Sequence, residues 1–390
     1  MGATRRERGW AERGALALAL AVMLASALPA AVLAQARPKP GDVLSKRYRI
    51  DEALGEGGMA VVYAATELRS DERVAIKWMS TRRRDDAYRG LRLVREFDAV
   101  VGLDHPNVVR MRRIDRHRGR FYLVMELLEG ESLVELLERG PVPRERALAL
   151  ADGVLRGLGA LHARGVVHRD LKLGNILLAE PQRGGAPVPK LLDFGLSKKL
   201  NADDPPGAPR EAREATALTR DCAVLGTPLY MAPEQFGAAG EVDARADLYA
   251  VGVVLYEMLS GELPFRGESS EEIQTQVTGG TAVPLVERRA EVGDALSAVV
   301  MKAMAREPDG RFADAEDMRA ALQATVAAEA QAAAEAQVAA EQAAVAPSQE
   351  ASLWLSPGGW SLPLGALLGG GVLVALALVR RWRGTLLPWE

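Results

Sequence analysis

Apolar positions follow three regimes along the chain. From Ala15 to Ala34 runs ALALALAVMLASALPAAVLA, twenty residues without a charge, preceded by Arg5, Arg6, Arg8 and Arg13. That length can cross a bilayer as a helix. It also reads as the core of a secretory signal, with Ala34-Gln35-Ala36 as an A-x-A cleavage site. No polar face interrupts it, which argues against a buried core helix. A second uncharged run extends from Ala351 to Val379 and is dense in Leu, Val, Ala and Gly from Leu362 onward. Arg380, Arg381 and Arg383 follow it with Trp382 among them, the pattern of a membrane interface. Pro363 and the glycines at 365 and 369–371 are of a kind that membrane helices tolerate.

Between these runs the patterning is that of a folded core. YRIDEALGEGGMAVVYAATE alternates apolar and polar residues on both sides of a glycine cluster, which predicts a strand–turn–strand hairpin, and RVAIKWM predicts the next strand. FYLVMELLEG reads as another strand. VGVVLYEML, from Val251 to Leu259, is almost continuously apolar and predicts a helix buried on most sides. ATVAAEAQAAAEAQVAAEQAAV then favours helix by its Ala and Glu content but has no large apolar stripe to bury. It reads as a solvated spacer that ends near Pro347 rather than as a coiled coil. Four segments result: a basic and apolar signal or transmembrane segment (1–47), a core (48–322), an Ala/Glu/Gln-rich linker (323–350) and a transmembrane segment with a basic tail (351–390).

Composition narrows the chemistry. Among 390 residues, 49 Lys and Arg face 52 Asp and Glu, a net charge of −3, so no overall electrostatic case exists for a nucleic-acid partner. Charged residues at 26% and an apolar share of 48% exclude wholesale disorder. Cys222 is the single cysteine, which excludes an internal disulfide and a cysteine-based zinc site. His105, His117, His162 and His168 form no ligand-spaced cluster.

The candidate chemistry lies in the core. Gly55, Gly57 and Gly58 let the backbone approach a bulky anion and offer it N–H groups, although plain hairpin turns use glycine too. Val74-Ala75-Ile76-Lys77 places one lysine in an apolar strand, where a buried ammonium needs an anionic partner. VVHRDLKLGNILL carries His168-Arg169-Asp170 and Asn175; KLLDFGLSKK carries Asp193-Phe194-Gly195; LGTPLYMAPEQ carries Ala232-Pro233-Glu234. In this order and spacing the motifs resemble the bacterial eukaryotic-like serine/threonine protein kinases over residues 48–322.

The resemblance implies an α+β, two-lobed protein-kinase fold, with a small β-rich N-lobe (48–127), a larger helical C-lobe (128–322) and terminal apolar membrane segments. It implies ATP and Mg as cofactors and protein substrates as partners. Lys77 would hold the α- and β-phosphates and pair with Glu96; Asp193 and Asn175 would be the metal ligands. Asp170 would accept or orient the substrate hydroxyl proton, and Lys172 would meet the transferred phosphoryl group and favours Ser/Thr over Tyr specificity. Leu54, Gly55, Gly57 and Gly58 would cover the nucleotide. Val62 and Ala75 would pack on adenine, behind the gatekeeper Met125, with the backbone at Glu126 and Leu128 hydrogen-bonding its edge. Asp247 would brace the catalytic loop, and Glu234 would pair with Arg311.

Arg169 beside the catalytic aspartate implies activation by an anion, with Thr219 and Thr216 as candidate autophosphorylation sites, Asp221 as a fixed charge and Thr227 as the substrate-facing threonine. Some positions depart from the pattern. Ala60 replaces the third glycine, Leu173-Gly174 replaces Pro-Glu, EPQRGGAPVPK lengthens a hairpin, and the activation segment, 193–234, carries the polar insert DDPPGAPREARE. None removes a catalytic group. A membrane-tethered pseudokinase scaffold is the alternative, yet Lys77, Asp170 and Asp193 are all retained; a small-molecule kinase would lack Ala232-Pro233-Glu234. No Lys or Arg occurs between Ala320 and Val379, so the positive-inside tendency puts the tail in the cytoplasm, whereas the supply of ATP puts the kinase domain there. The expectation is a membrane protein with a cytoplasmic kinase domain; a homodimer through the smaller lobe, as relatives often form, stays open.

Overall fold

The computed structural model describes residues 37–57, 60–79, 97–181, 184–193, 228–237 and 242–345. The chain divides into two compact units between Ala328 and Glu329.

The smaller lobe is an antiparallel sheet of six strands. Its order is β1 (Val43–Leu44), β2 (Tyr48–Glu56), β3 (Ala60–Glu67), β4 (Glu72–Met79), β6 (Arg120–Glu126) and β5 (Met111–His117). Alternation along each strand divides the side chains between two faces. Val74, Ile76 and Trp78 of β4 join Tyr63, Tyr122 and Val124 in a core belonging to the sheet alone, where Trp78 stacks on Tyr122 with ring centroids 6.3 Å apart. Ala75, with Met125 opposite it in register, turns the other way and enters the main core, which continues into the helical lobe together with Met111 and Leu123. Lys77 follows Ala75 by two residues and shares this inner face, with Val62 and Leu123 as its neighbours in register.

The larger lobe is mainly helical. Its first helix, α1 (Leu133–Leu137), begins at a reciprocal cap in which Ser132 accepts the Glu135 N–H and the Glu135 carboxylate accepts the Ser132 N–H. Its long members α2 (Arg144–His162) and α3 (Arg245–Ser260) pack on each other. The continuous apolar run predicted to be buried forms α3, which is enclosed along nearly its whole length and ends where Gly261 adopts φ 76°, a left-handed cap. Helices α4 (Ser270–Gly279), α5 (Leu285–Arg288) and α6 (Asp294–Ala303) complete the lobe before α7 (Ala315–Val345). A small antiparallel sheet, β7 (Gly130–Ser132), β8 (Ile176–Ala179) and β9 (Val188–Leu191), lies against α2. The Pro- and Gly-rich stretch 180–190 connects β8 to β9 and enters β9. Contact between α2 and this sheet is so close that a Cβ on Gly157 would stand 2.9 Å from the Leu191 side chain of β9.

Helix α7 passes residue 322 without a break. Its first turns bury Ala315, Met318 and Leu322, and Arg319 and Gln323 donate to Asp152 of α2 at 3.3 and 3.2 Å. Within the second unit the helix is exposed at every position from 330 to 342, and Gln331 donates to Glu335 one turn on. Among the described residues no helix is long and apolar enough to cross a membrane. The runs 15–34 and 351–379 both lie outside those residues.

Candidate active site

The loop 168–175 between α2 and β8 is held from below by one carboxylate. Asp247 on α3 is 1% exposed and accepts the His168 N–H at 2.7 Å and the Arg169 N–H at 2.8 Å, with His162 Nε2 a further 2.8 Å away. These bonds fix Arg169 at φ 62°, a left-handed backbone that an arginine adopts only where its surroundings impose it. Gln235 Nε2 adds a bond to the Arg169 carbonyl at 3.0 Å, and Arg169 Nη2 donates to the Val242 carbonyl at 3.2 Å.

His168 is fully enclosed, and burial pushes its imidazole below the ordinary histidine range. A neutral ring with its proton on Nε2 satisfies both of its contacts. Nε2–H donates to the Leu192 carbonyl at 2.9 Å, and Nδ1 accepts the Asp170 N–H at 3.4 Å. The peptide of Leu192 is bonded on its other side too, its N–H reaching the Asn175 carbonyl at 2.9 Å. Asp193, the next residue, is thereby tied to the loop.

Asn175 turns its amide nitrogen to Asp170, donating to the carbonyl at 2.7 Å and to Oδ2 at 3.2 Å. What it can offer a cation is therefore Oδ1. Lys172 Nζ lies 3.4 Å from Asp170 Oδ2. Across the cleft, Lys77 Nζ meets Asp193 Oδ1 at 2.7 Å, and Asp193 has a left-handed φ of 52°. A carboxylate and an amide oxygen suit a hard cation that draws its other ligands from phosphate and water. Among the described residues no group of three or more His, Cys, Asp or Glu converges into a metal-binding cluster.

The residues that the resemblance assigns to the nucleotide occupy the inner face of the sheet and its exit. Ala75 is buried, and Val62 is half-buried against the main core. Leu54, near the end of β2, is 50% exposed. A Cβ on Gly55 would meet nothing within 4 Å, so the protein's own packing does not demand glycine there. Gly57 donates its N–H to the Ala60 carbonyl at 2.9 Å. Met125 is buried where β6 ends, and Leu128 is half-buried beyond it. Glu126 donates its N–H to the Arg110 carbonyl at 3.0 Å, so its own carbonyl is what it could offer a base. Gly58, Glu96, Thr216, Thr219, Asp221 and Thr227 lie outside the described residues.

Two supports named from the resemblance are in place. Asp247 braces the loop as described, and the fully buried Arg311 guanidinium grips Glu234 through two bonds of 2.7 Å. Sequence reasoning missed others. A shallow surface depression lies beside Asp170, bordered by Tyr230, Met231 and Gln235. Tyr230 is anchored there by donating to Glu257 Oε2 at 2.5 Å, and burial pushes the Glu257 carboxyl upward. Lys190, also missed, pairs with Glu126 at 2.6 Å. A charged residue late in a strand was the only local signal for Lys190, and it did not reveal the partner.

A profile of the protein kinase domain matches residues 48–324. The serine/threonine-protein kinase pkn3 of Myxococcus xanthus is 35% identical over 288 residues, covering 73% of this chain and 51% of its own length. The serine/threonine-protein kinase PknB of Mycolicibacterium smegmatis is 36% identical over 285 residues, or 72% of this chain and 43% of its own. The chain thus spans about half the length of the curated relatives it matches. In fold it is similar to the kinase domain of Mycobacterium tuberculosis PknI, with a TM-score of 0.56 at 22% identity over 74% of this chain and 99% of that one.

Proposed function

The chain belongs to the protein kinase domain family, and from that premise we propose that it transfers the γ-phosphoryl group of ATP to serine and threonine hydroxyls of protein substrates. One observation carries the reading. Lys77 and Asp193 meet at 2.7 Å, and Asp193 follows a peptide bonded to both His168 and Asn175 of the loop that presents Asp170.

Transfer of this kind asks mainly for positioning and for neutralisation of oxygen charge. Lys77 binds the α- and β-phosphates, with Glu96 as its further partner. Asp193 and Asn175 would hold magnesium, which when bound would offset negative charge on the phosphate oxygens. Asp170 takes or orients the hydroxyl proton of the acceptor, while Lys172 meets the phosphoryl group in transit. Leu54, Gly55, Gly57 and Gly58 cover the nucleotide; Gly55 has open space where a side chain would stand, which suits close approach by a ligand. Val62 and Ala75 pack on adenine, and the Glu126 carbonyl and the Leu128 backbone bind its edge. In this reading the kinase domain is 48–322, joined by the linker 323–350 to a membrane segment in 351–390, and it faces the cytoplasm where ATP is supplied.

Incubation with labelled ATP, magnesium and a generic protein substrate tests the activity. Asp170→Asn is expected to lower incorporation by a factor of about 10² to 10⁴ while nucleotide binding persists. Wild-type chain that binds nucleotide and transfers nothing would instead support the scaffold reading. Mass spectrometry of the same wild-type sample is expected to find phosphate on Thr219 or Thr216.

A further inference from the structure

Lys190 belongs to none of the motifs, yet its surroundings tie it to the nucleotide site. Its ammonium lies 2.6 Å from Glu126 Oε1 across 64 residues of sequence, with 16% and 22% of the two side chains exposed. The same Oε1 accepts the Arg110 N–H at 2.9 Å, while the Glu126 N–H donates to the Arg110 carbonyl. Residues 107–110 are bonded along their other edge to β9. Asn107 Nδ2 donates to the Pro189 carbonyl at 2.9 Å, the Leu191 N–H to the Asn107 carbonyl at 2.9 Å, and the Val109 N–H to the Leu191 carbonyl at 3.0 Å. Lys190 therefore closes a ring: from Glu126 to Arg110, along 107–110 to β9, and back to Glu126. Just past the end of β9 the chain continues through the Leu192 peptide to Asp193.

This pair differs from an ordinary surface ion pair. Both groups are largely withdrawn from water, so the attraction is less screened, and a hydrogen bond between two charged groups is stronger than a neutral one. Glu126 lies where β6 leaves the small lobe, and a side chain anchored on both Arg110 and Lys190 leaves its backbone little room to turn.

We propose that Lys190 is a positioning residue for nucleotide binding: by clamping the Glu126 side chain, it fixes the backbone carbonyl that receives adenine on the same seam that carries Asp193. The inference rests on the kinase reading above and deepens it. Lys190 needs to touch no reacting atom, so its effect falls on affinity for ATP rather than on turnover.

The test uses the full chain. Lys190→Met is expected to raise KM for ATP, and Kd for a non-hydrolysable ATP analogue, about fivefold, with kcat within twofold of wild type. Lys190→Arg restores both constants. Glu126→Gln, which keeps an acceptor for the Arg110 N–H, gives a rise similar to that of Lys190→Met, and the double variant rises no further than either single one. Glu126→Gln and its cycle with Lys190→Arg carry the measurement if Lys190→Met does not fold. Unchanged KM in Lys190→Met, single effects that multiply in the double variant, or a fall in kcat and thermal stability with KM untouched would each overturn the proposal. A wild-type chain that binds no nucleotide would overturn the kinase reading and this inference together. Tight nucleotide binding that ignores position 190 would overturn the inference alone.

Discussion

His168 shows at the scale of one residue how burial becomes a pH dependence. Its folded pKa is depressed below the free value of about 6.5 because burial disfavours the charged ring. Between the two values the unfolded chain binds a proton that the folded chain does not, so stability grows with pH across that interval. The contribution is complete above about pH 6.5 and is lost as pH falls from there toward the folded value. His105 and His117 are displaced in the same direction, also by burial, and steepen the same window. Glu257 acts with the opposite sign, since its raised carboxyl gains a proton more readily in the folded state. Thermal unfolding between pH 7.5 and 5.5 is therefore expected to show a falling Tm in wild type and a flatter profile in His168→Asn. Parallel profiles would contradict this account, because the other groups are common to both chains.

At the scale of the element, α2 contrasts two glycines. Gly157 faces the Asn107 carbonyl oxygen and the Leu191 side chain, at 2.7 and 2.9 Å from an added Cβ, and a backbone oxygen cannot swing aside. Gly157→Ala is expected to cost about 1–3 kcal/mol by overpacking. At Gly159 the nearest atom would be the Ala315 Cβ at 3.9 Å, so Gly159→Ala is expected to stabilise by up to about 1 kcal/mol through helix propensity. Urea unfolding at neutral pH measures both. The same helix shows where reading a sequence stops. Strands β2 to β4 and helix α3 could be read from alternation and from continuous apolarity, while Lys77, Asp170, Asn175 and Asp193 are singled out through the family resemblance of short motifs. The resemblance supplies two distant pairings, Glu234 with Arg311 and Asp247 with the catalytic loop, but others leave no such trace. Asn107 meets Pro189 across 82 residues, His168 meets Leu192 across 24, and Glu126 meets Lys190 across 64. Nothing local at either end specifies the partner; the packing of α2 on β9 brings them together. Composition predicted helix for the Ala-rich stretch, but not that the helix starts at Ala315, because Met318 and Leu322 are isolated apolar residues in its first turns.

The whole molecule poses the question of sides. Three arginines after Val379 favour a cytoplasmic tail, while the chemistry proposed for the core requires ATP. Protease added to intact spheroplasts is expected to leave the kinase domain whole, and its digestion from outside would reverse the assignment. Within the first unit the two lobes are unequal in independence. The outer face of the six-stranded sheet fills a core of its own, but Ala75, Met111, Leu123 and Met125 on the inner face share theirs with the helices. A fragment cut off after Leu127 would thus be half a sandwich, one flank finished and the other bare and adhesive, and copies of it would cling to each other before they met any nucleotide. The small lobe is best produced still attached to the larger one that shields it.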